Sequence, residues 1–113
     1  MKLLGALVLV MGGAAPPFAP NRPPVVRVRC EPCSVPVGQT VKVTAEARDP
    51  DGHRLKYKWN APAGSLKKAS KRETTWTAPM VEGPVFVSVT VDDRKGAIAS
   101  DVITIQVIKG PAQ

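Results

Sequence analysis

Three groups of residues in this 113-residue chain have types and spacing that could do chemistry. The first is Cys30-Glu31-Pro32-Cys33, which holds both cysteines. A redox dithiol needs a helix N-terminus to lower the first thiol's pKa. Here Ser34-Val35-Pro36-Val37-Gly38 follows and reads as an extended edge. A structural zinc site needs about four ligands, and His53 is the sole histidine. A local disulfide in an exported protein needs neither partner and would pin the bend after the first strand. The ring it closes is small, so its stabilisation is modest on the chain-entropy estimate.

The second group is acidic. Asp49 and Asp51 flank Pro50 in one turn, and Asp92 and Asp93 open another. Brought to one pole with Asn21, they would form an oxygen cage for Ca2+, which takes about six to eight hard ligands. Against a metal, Arg22, Arg48, Arg54, Arg94 and Lys95 lie adjacent in sequence and offer neutralisation by ion pairing. Asp is also a default turn former.

The third group is cationic. From Arg54 to Arg72 there are seven basic residues and no acidic one. Lys56 and Lys58 alternate outward on one strand, and Lys67, Lys68, Lys71 and Arg72 follow in the adjoining edge segment. Such a face suits an anionic partner: an acidic polysaccharide, lipid head groups or nucleic acid. Nucleic-acid binding usually interleaves exposed aromatics for stacking, but Tyr57 and Trp59 alternate to the opposite side, which argues against it. Lysines on an exposed edge also discourage unwanted strand addition.

The elements that must position these groups are strands. Thr40 to Arg48 alternates strictly, with Val41, Val43, Ala45 and Ala47 on one face. Leu55 to Trp59 and Val85 to Val91 do the same, and Ile103, Ile105 and Val107 repeat the pattern. Weaker strands are expected at Val25 to Arg29 and Thr74 to Thr77. Turn signals separate them at Asp49-Pro50-Asp51-Gly52, Ala61 to Gly64, Glu82-Gly83-Pro84 and Asp92 to Gly96. Twelve prolines disfavour a helical bundle. A hydrophobic fraction of 43% argues against disorder despite the net charge of +7. About seven short strands in this length give an all-β, immunoglobulin-like antiparallel β-sandwich. A small barrel is the alternative.

Met1-Lys2, the apolar run Leu3 to Met11 and Gly12-Gly13-Ala14-Ala15 have the order of a secretory signal, with cleavage expected after Ala14. The run is too short for a spanning helix, which needs about 20 residues, so no transmembrane segment is expected after cleavage. The expected organisation is a signal at 1–14, a Pro-rich extended lead-in at 15–24, the sandwich at 25–108 and a tail or linker start at 109–113. There is no phosphate loop, no HExxH and no nucleophile-elbow serine. A filled sandwich of this size offers no sizeable cleft, so a non-enzymatic module is expected.

Asn21-Arg22-Pro23-Pro24-Val25, Asp49-Pro50-Asp51-Gly52 and Leu55-x-Tyr57-x-Trp59 resemble the opening half of bacterial PKD-like domains. Thr75-Trp76-Thr77-Ala78-Pro79 and Val87-x-Val89-x-Val91-Asp92-Asp93 resemble the second half. One departure is that Asn60-Ala61-Pro62-Ala63-Gly64 follows Trp59, where PKD domains usually continue with an Asp-Phe-Gly-Asp-Gly-like turn. The resemblance implies a spacer or adhesion module at the bacterial cell envelope, cell surface or periplasm. A carbohydrate- or envelope-binding protein using the basic face, or a small thiol-redox protein, are the alternatives. Some PKD-like and cadherin-like modules bind calcium through such loops. The resemblance thereby extends the metal reading to Asn21, Asp49, Asp51, Asp92 and Asp93, although His53 stands where the family often has another acidic or amide residue.

Overall fold

A computed structural model describes residues 20–110. The leader segment 1–14, residues 15–19 of the lead-in and residues 111–113 lie outside the described residues. Eight strands form two four-stranded sheets. They are β1 (Val25–Glu31), β2 (Ser34–Pro36), β3 (Thr40–Arg48), β4 (Lys56–Asn60), β5 (Ser65–Leu66), β6 (Glu73–Thr77), β7 (Gly83–Asp92) and β8 (Ile98–Ile108). The first sheet runs β1-β3-β6-β5 and the second β2-β8-β7-β4. All pairs are antiparallel except β2 with β8. This is the wiring of an immunoglobulin-like sandwich, with the first strand divided between the sheets.

The alternation read from sequence becomes the core. Val41, Val43 and Ala45 of β3 face Val85, Val87, Val89 and Val91 of β7, all buried. Ala45 and Val89 occupy the inward positions where an antibody domain carries its inter-sheet disulfide, and packing replaces that bond. Trp59 of β4 and Trp76 of β6 supply the largest rings, 3% and 0% exposed. A buried indole N–H needs an acceptor. Trp59 Nε1 donates to the Lys71 carbonyl at 2.7 Å. Trp76 Nε1 donates to the Ala63 carbonyl at 2.9 Å.

The structure extends the expected strand set in three places. β2 and β5 are three and two residues long, too short to show an alternation period. β8 begins at Ile98, five residues before the isoleucine-rich run, since its pairing with β7 starts there, and a polar residue at one inward-parity position hides this half from the apolar alternation. That residue is Asp101, whose carboxylate accepts the Val28 amide at 2.7 Å and stitches β8 of one sheet to β1 of the other. Between β1 and β2 the chain changes sheets, and the Cys30–Cys33 disulfide spans the corner. Ser34–Pro36 is indeed an extended edge, paired to Gln106–Ile108.

Gly64 and Gly52 have nearly the same left-handed backbone, with φ of +76° and +77°. A Cβ on Gly64 would run into the Thr77 carbonyl and the Trp76 indole, whereas one on Gly52 meets nothing within 4 Å. Gly52→Ala is therefore expected to cost only the left-handed penalty, on the order of 1 kcal/mol. Gly64→Ala adds overpacking of about 1–3 kcal/mol. Urea denaturation of the two variants measures the difference.

Candidate functional site

The loop between β3 and β4 and the loop between β7 and β8 meet at one end of the sandwich, where the lead-in also arrives. Asp49 builds the first loop. Its backbone carbonyl accepts Gly52 N at 3.0 Å, closing a β-turn with Pro50 at its second position. Its Oδ2 accepts the amides of Asp51 and His53 at 3.1 and 3.0 Å. Asp93 builds the second loop. Its Oδ1 accepts Lys95 N at 2.7 Å and Ala97 N at 3.0 Å, which holds a tight turn with Arg94 at φ 65°. Its Oδ2 points the other way and accepts the Asn21 amide at 2.6 Å. The sequence-expected acids thus fold their own loops first, through short-range bonds that Asp makes readily.

Of the five residues expected as oxygen ligands, three converge: Asn21, Asp49 and Asp93. The other two are engaged elsewhere. Asp51 is held by Arg22, which donates its backbone amide at 2.8 Å and two guanidinium nitrogens at 2.9 and 2.7 Å. Asp92 stands opposite Lys56 in the β4–β7 ladder, and its Oδ1 accepts Arg94 N at 2.7 Å. Their place is taken by a residue not singled out as a ligand from sequence. His53 Nδ1 lies 3.0 Å from Asp49 Oδ2 and 4.0 Å from Asp93 Oδ2. One ligand atom each from Asp49, His53 and Asp93 falls within 4.8 Å of the others. The signal that points to His53 is its spacing. Four residues after Asp49, it sits where the Asp49-capped turn returns the chain to the pole.

The electrostatics of the pole favour charged carboxylates. The Arg22 backbone amide, then its guanidinium, hold the Asp51 carboxyl below its ordinary value of 3.8. Burial pushes Asp93 up, but the Asn21 amide, the Lys95 and Ala97 amides and nearby His53 together outweigh it, leaving Asp93 below 3.8. A folded-state pKa below the unfolded one contributes stability that is complete above the unfolded value. It is lost as pH falls through the lower folded values.

The basic residues gather along the free edge of β4. Lys56 and Lys58 are exposed on its outer face. The 67–72 segment is a loop, not a strand, and is wired closely to the sandwich. Trp59 N donates to the Ala69 carbonyl at 2.8 Å, Lys67 N to Thr75 O at 3.0 Å and Ala45 N to Arg72 O at 2.9 Å. Lys68 N donates to the hydroxyl of buried Thr74 at 2.9 Å. Lys67, Lys68, Lys71 and Arg72 are all exposed. Arg72 also borders an open groove of about 580 Å³ on the outer face of the first sheet, beside Arg27, Arg29 and Arg48. The gathering of Arg27, Arg29, Arg48 and Arg72 at one groove is not visible as a run in the sequence, because two strands and a loop contribute them. Glu46 neutralises one of them, Arg29, at 3.2 Å.

A two-sheet sandwich with this strand order, an Asp-Pro-Asp-Gly turn after the second long strand and a buried tryptophan on the strand that follows defines an immunoglobulin-like module. The chain belongs to the PKD domain family, which it matches over residues 25–107. It is 37% identical over 93 residues to chitinase A of Pseudoalteromonas piscicida. That match takes in 81% of this chain but 11% of the chitinase, so the chain spans about a tenth of that curated relative. Among solved structures it resembles the PKD1 domain of Vibrio anguillarum Epp, with a TM-score of 0.64 and 27% identity, over 80% of this chain and all of that one. A nucleoside hydrolase-related hypothetical protein of Saccharophagus degradans, associated with carbohydrate metabolism, shares the fold at a TM-score of 0.64 and 20% identity. There the match covers 80% of this chain and 26% of that one.

Asp93→Ala removes the acceptor of three hydrogen bonds and is expected to lower the melting temperature more than Asn21→Ala, which removes one donor. Asp92→Ala, at the rim, is expected to lower it least. Thermal melts followed by tryptophan fluorescence rank the three.

Proposed function

We propose that the chain is a non-catalytic, exported module that positions its parent protein by contact with an anionic polymer of the envelope or surrounding matrix. The contact surface is the cationic edge of Lys56, Lys58, Lys67, Lys68, Lys71 and Arg72. One observation carries the reading: among the described residues, none of these six side chains forms an ion pair with a carboxylate. Elsewhere on the surface Arg22, Arg29 and Lys42 each take a carboxylate partner. A cationic strip whose side chains make no direct ion pair, mounted on a firmly bonded loop, attracts polyanions over a range of about 10 Å at moderate salt.

Several features support this setting. The N-terminal leader pattern and the disulfide at the sheet-switch corner suit an oxidising, extracytoplasmic compartment. Among the described residues no helix is long and apolar enough to cross a membrane. A related module lies within a chitinase, which favours a polysaccharide as the class of partner. The disulfide closes an edge corner, and no helix follows it among the described residues, so a structural role suits it better than thiol redox chemistry.

The expected behaviour is binding to an acidic polysaccharide such as alginate that weakens as salt rises. Lys67→Glu/Lys68→Glu should reduce affinity by at least about tenfold at low ionic strength, with an unchanged melting temperature. Isothermal titration at two salt concentrations measures this. Affinity unaffected by the double charge reversal removes the proposal.

A further inference from the structure

The calcium expectation and the donor set at the loop pole do not fit. Calcium takes about six to eight oxygens in a roomy shell. With Asp51 tied to Arg22 and Asp92 turned to its own loop, the pole retains two carboxylates, the Asn21 carboxamide and a ring nitrogen. That Asn21 group already donates to Asp93. The acidic cluster is nonetheless built like a site. The Asp49 side chain is 0% exposed, yet its Oδ1 has no hydrogen-bond partner. His53 Nδ1 is buried at the same place, and it too lacks one. The 3.0 Å approach of this nitrogen to Asp49 Oδ2 does not have hydrogen-bond geometry. Buried polar atoms left without partners are costly, at about 1–3 kcal/mol each. A cation bound by the Asp49 carboxylate and His53 Nδ1 would give both groups a partner.

We propose that Asp49, His53 Nδ1 and Asp93 form a three-ligand site for a borderline divalent metal of the zinc class, not for calcium. Imidazole nitrogen with carboxylate oxygen is a zinc-type donor set, and zinc accepts four ligands in a tetrahedron. With metal–ligand bonds of about 2.0–2.1 Å, ligand atoms in a tetrahedron stand about 3.4 Å apart. The separations of His53 Nδ1 from Asp49 Oδ2 and Asp93 Oδ2, 3.0 and 4.0 Å, bracket that figure, and one ligand atom from each of the three residues lies within 4.8 Å of the others. The fourth position is left to water. Asn21 orients the Asp93 oxygen through its amide, as partners of metal-bound carboxylates commonly do. Because Asn21 belongs to the lead-in, loading the site would also fix the direction in which the chain enters the sandwich.

The test uses tag-free protein stripped with chelator, followed by thermal melts and titration calorimetry with ZnCl2 or CaCl2. The expected result is one Zn2+ per chain, a zinc-dependent rise in melting temperature reversed by EDTA, and Ca2+ at least tenfold weaker. His53→Asn keeps the Asp49-capped turn, since that turn uses the His53 backbone amide. It should melt near the stripped wild type and bind zinc at least tenfold more weakly. Calcium binding as tight as zinc, zinc binding unchanged in His53→Asn, or no shift with either ion would each overturn the proposal.

Discussion

The structure depends on a requirement imposed by its two tryptophans. Each buries a large apolar ring in the sandwich, and each carries one N–H that must find an acceptor inside. Both indoles reach out to loop carbonyls: Trp59 to Lys71 and Trp76 to Ala63. The connection from Ala61 to Arg72, which carries only the two-residue β5, is thereby fastened to the core at each end. Gly64 follows from the same constraint, since the loop passes too close to Trp76 for any side chain.

That fastening connects stability to surface chemistry. The loop pinned by Trp59 carries four of the exposed cations, and β4, which carries Trp59, presents two more. A cationic edge on a loop held by backbone bonds to Trp59, Thr75 and Ala45 loses little conformational entropy when a partner binds. The opposite demand operates at the loop pole. There the carboxylates of Asp49 and Asp93 hold their own turns, Asp49 through the Oδ2 that also approaches His53, and Asp93 through Oδ1, which leaves its Oδ2 to Asn21 and His53. The two surfaces are built from different strands and rest on different bonds.

Much of the fold was legible in the sequence because period-two alternation survives wherever one face of a strand is buried. β3 was readable to the residue, and β7 and β6 to within two. β5 and the first half of β8 were not, and β2 was legible only as an extended edge. β2 and β5 are too brief for a period, and Asp101 interrupts the apolar parity of β8 because it serves an amide on the other sheet. The convergence of Asn21, Asp49 and Asp93 was legible from the loop placement of an immunoglobulin-like sandwich. The diversion of Asp51 was only half legible: Arg22 was a named neutraliser, but its grip on both carboxylate oxygens, by guanidinium and backbone amide, depends on where the lead-in lies. His53 as a fourth member of the pole was missed, because a lone histidine gains meaning only from the two loops that fold around it.

The most direct test of the tryptophan constraint is hydrogen–deuterium exchange in Trp59→Phe. The substitution keeps an aromatic ring in the core and removes the indole donor. The expected result is that amides in the 67–72 loop lose protection by about tenfold or more while those of β3, β7 and β8 keep theirs, as for a locally opened segment. Unchanged protection of the loop would contradict it, and would show that the cationic edge is held by its backbone bonds alone.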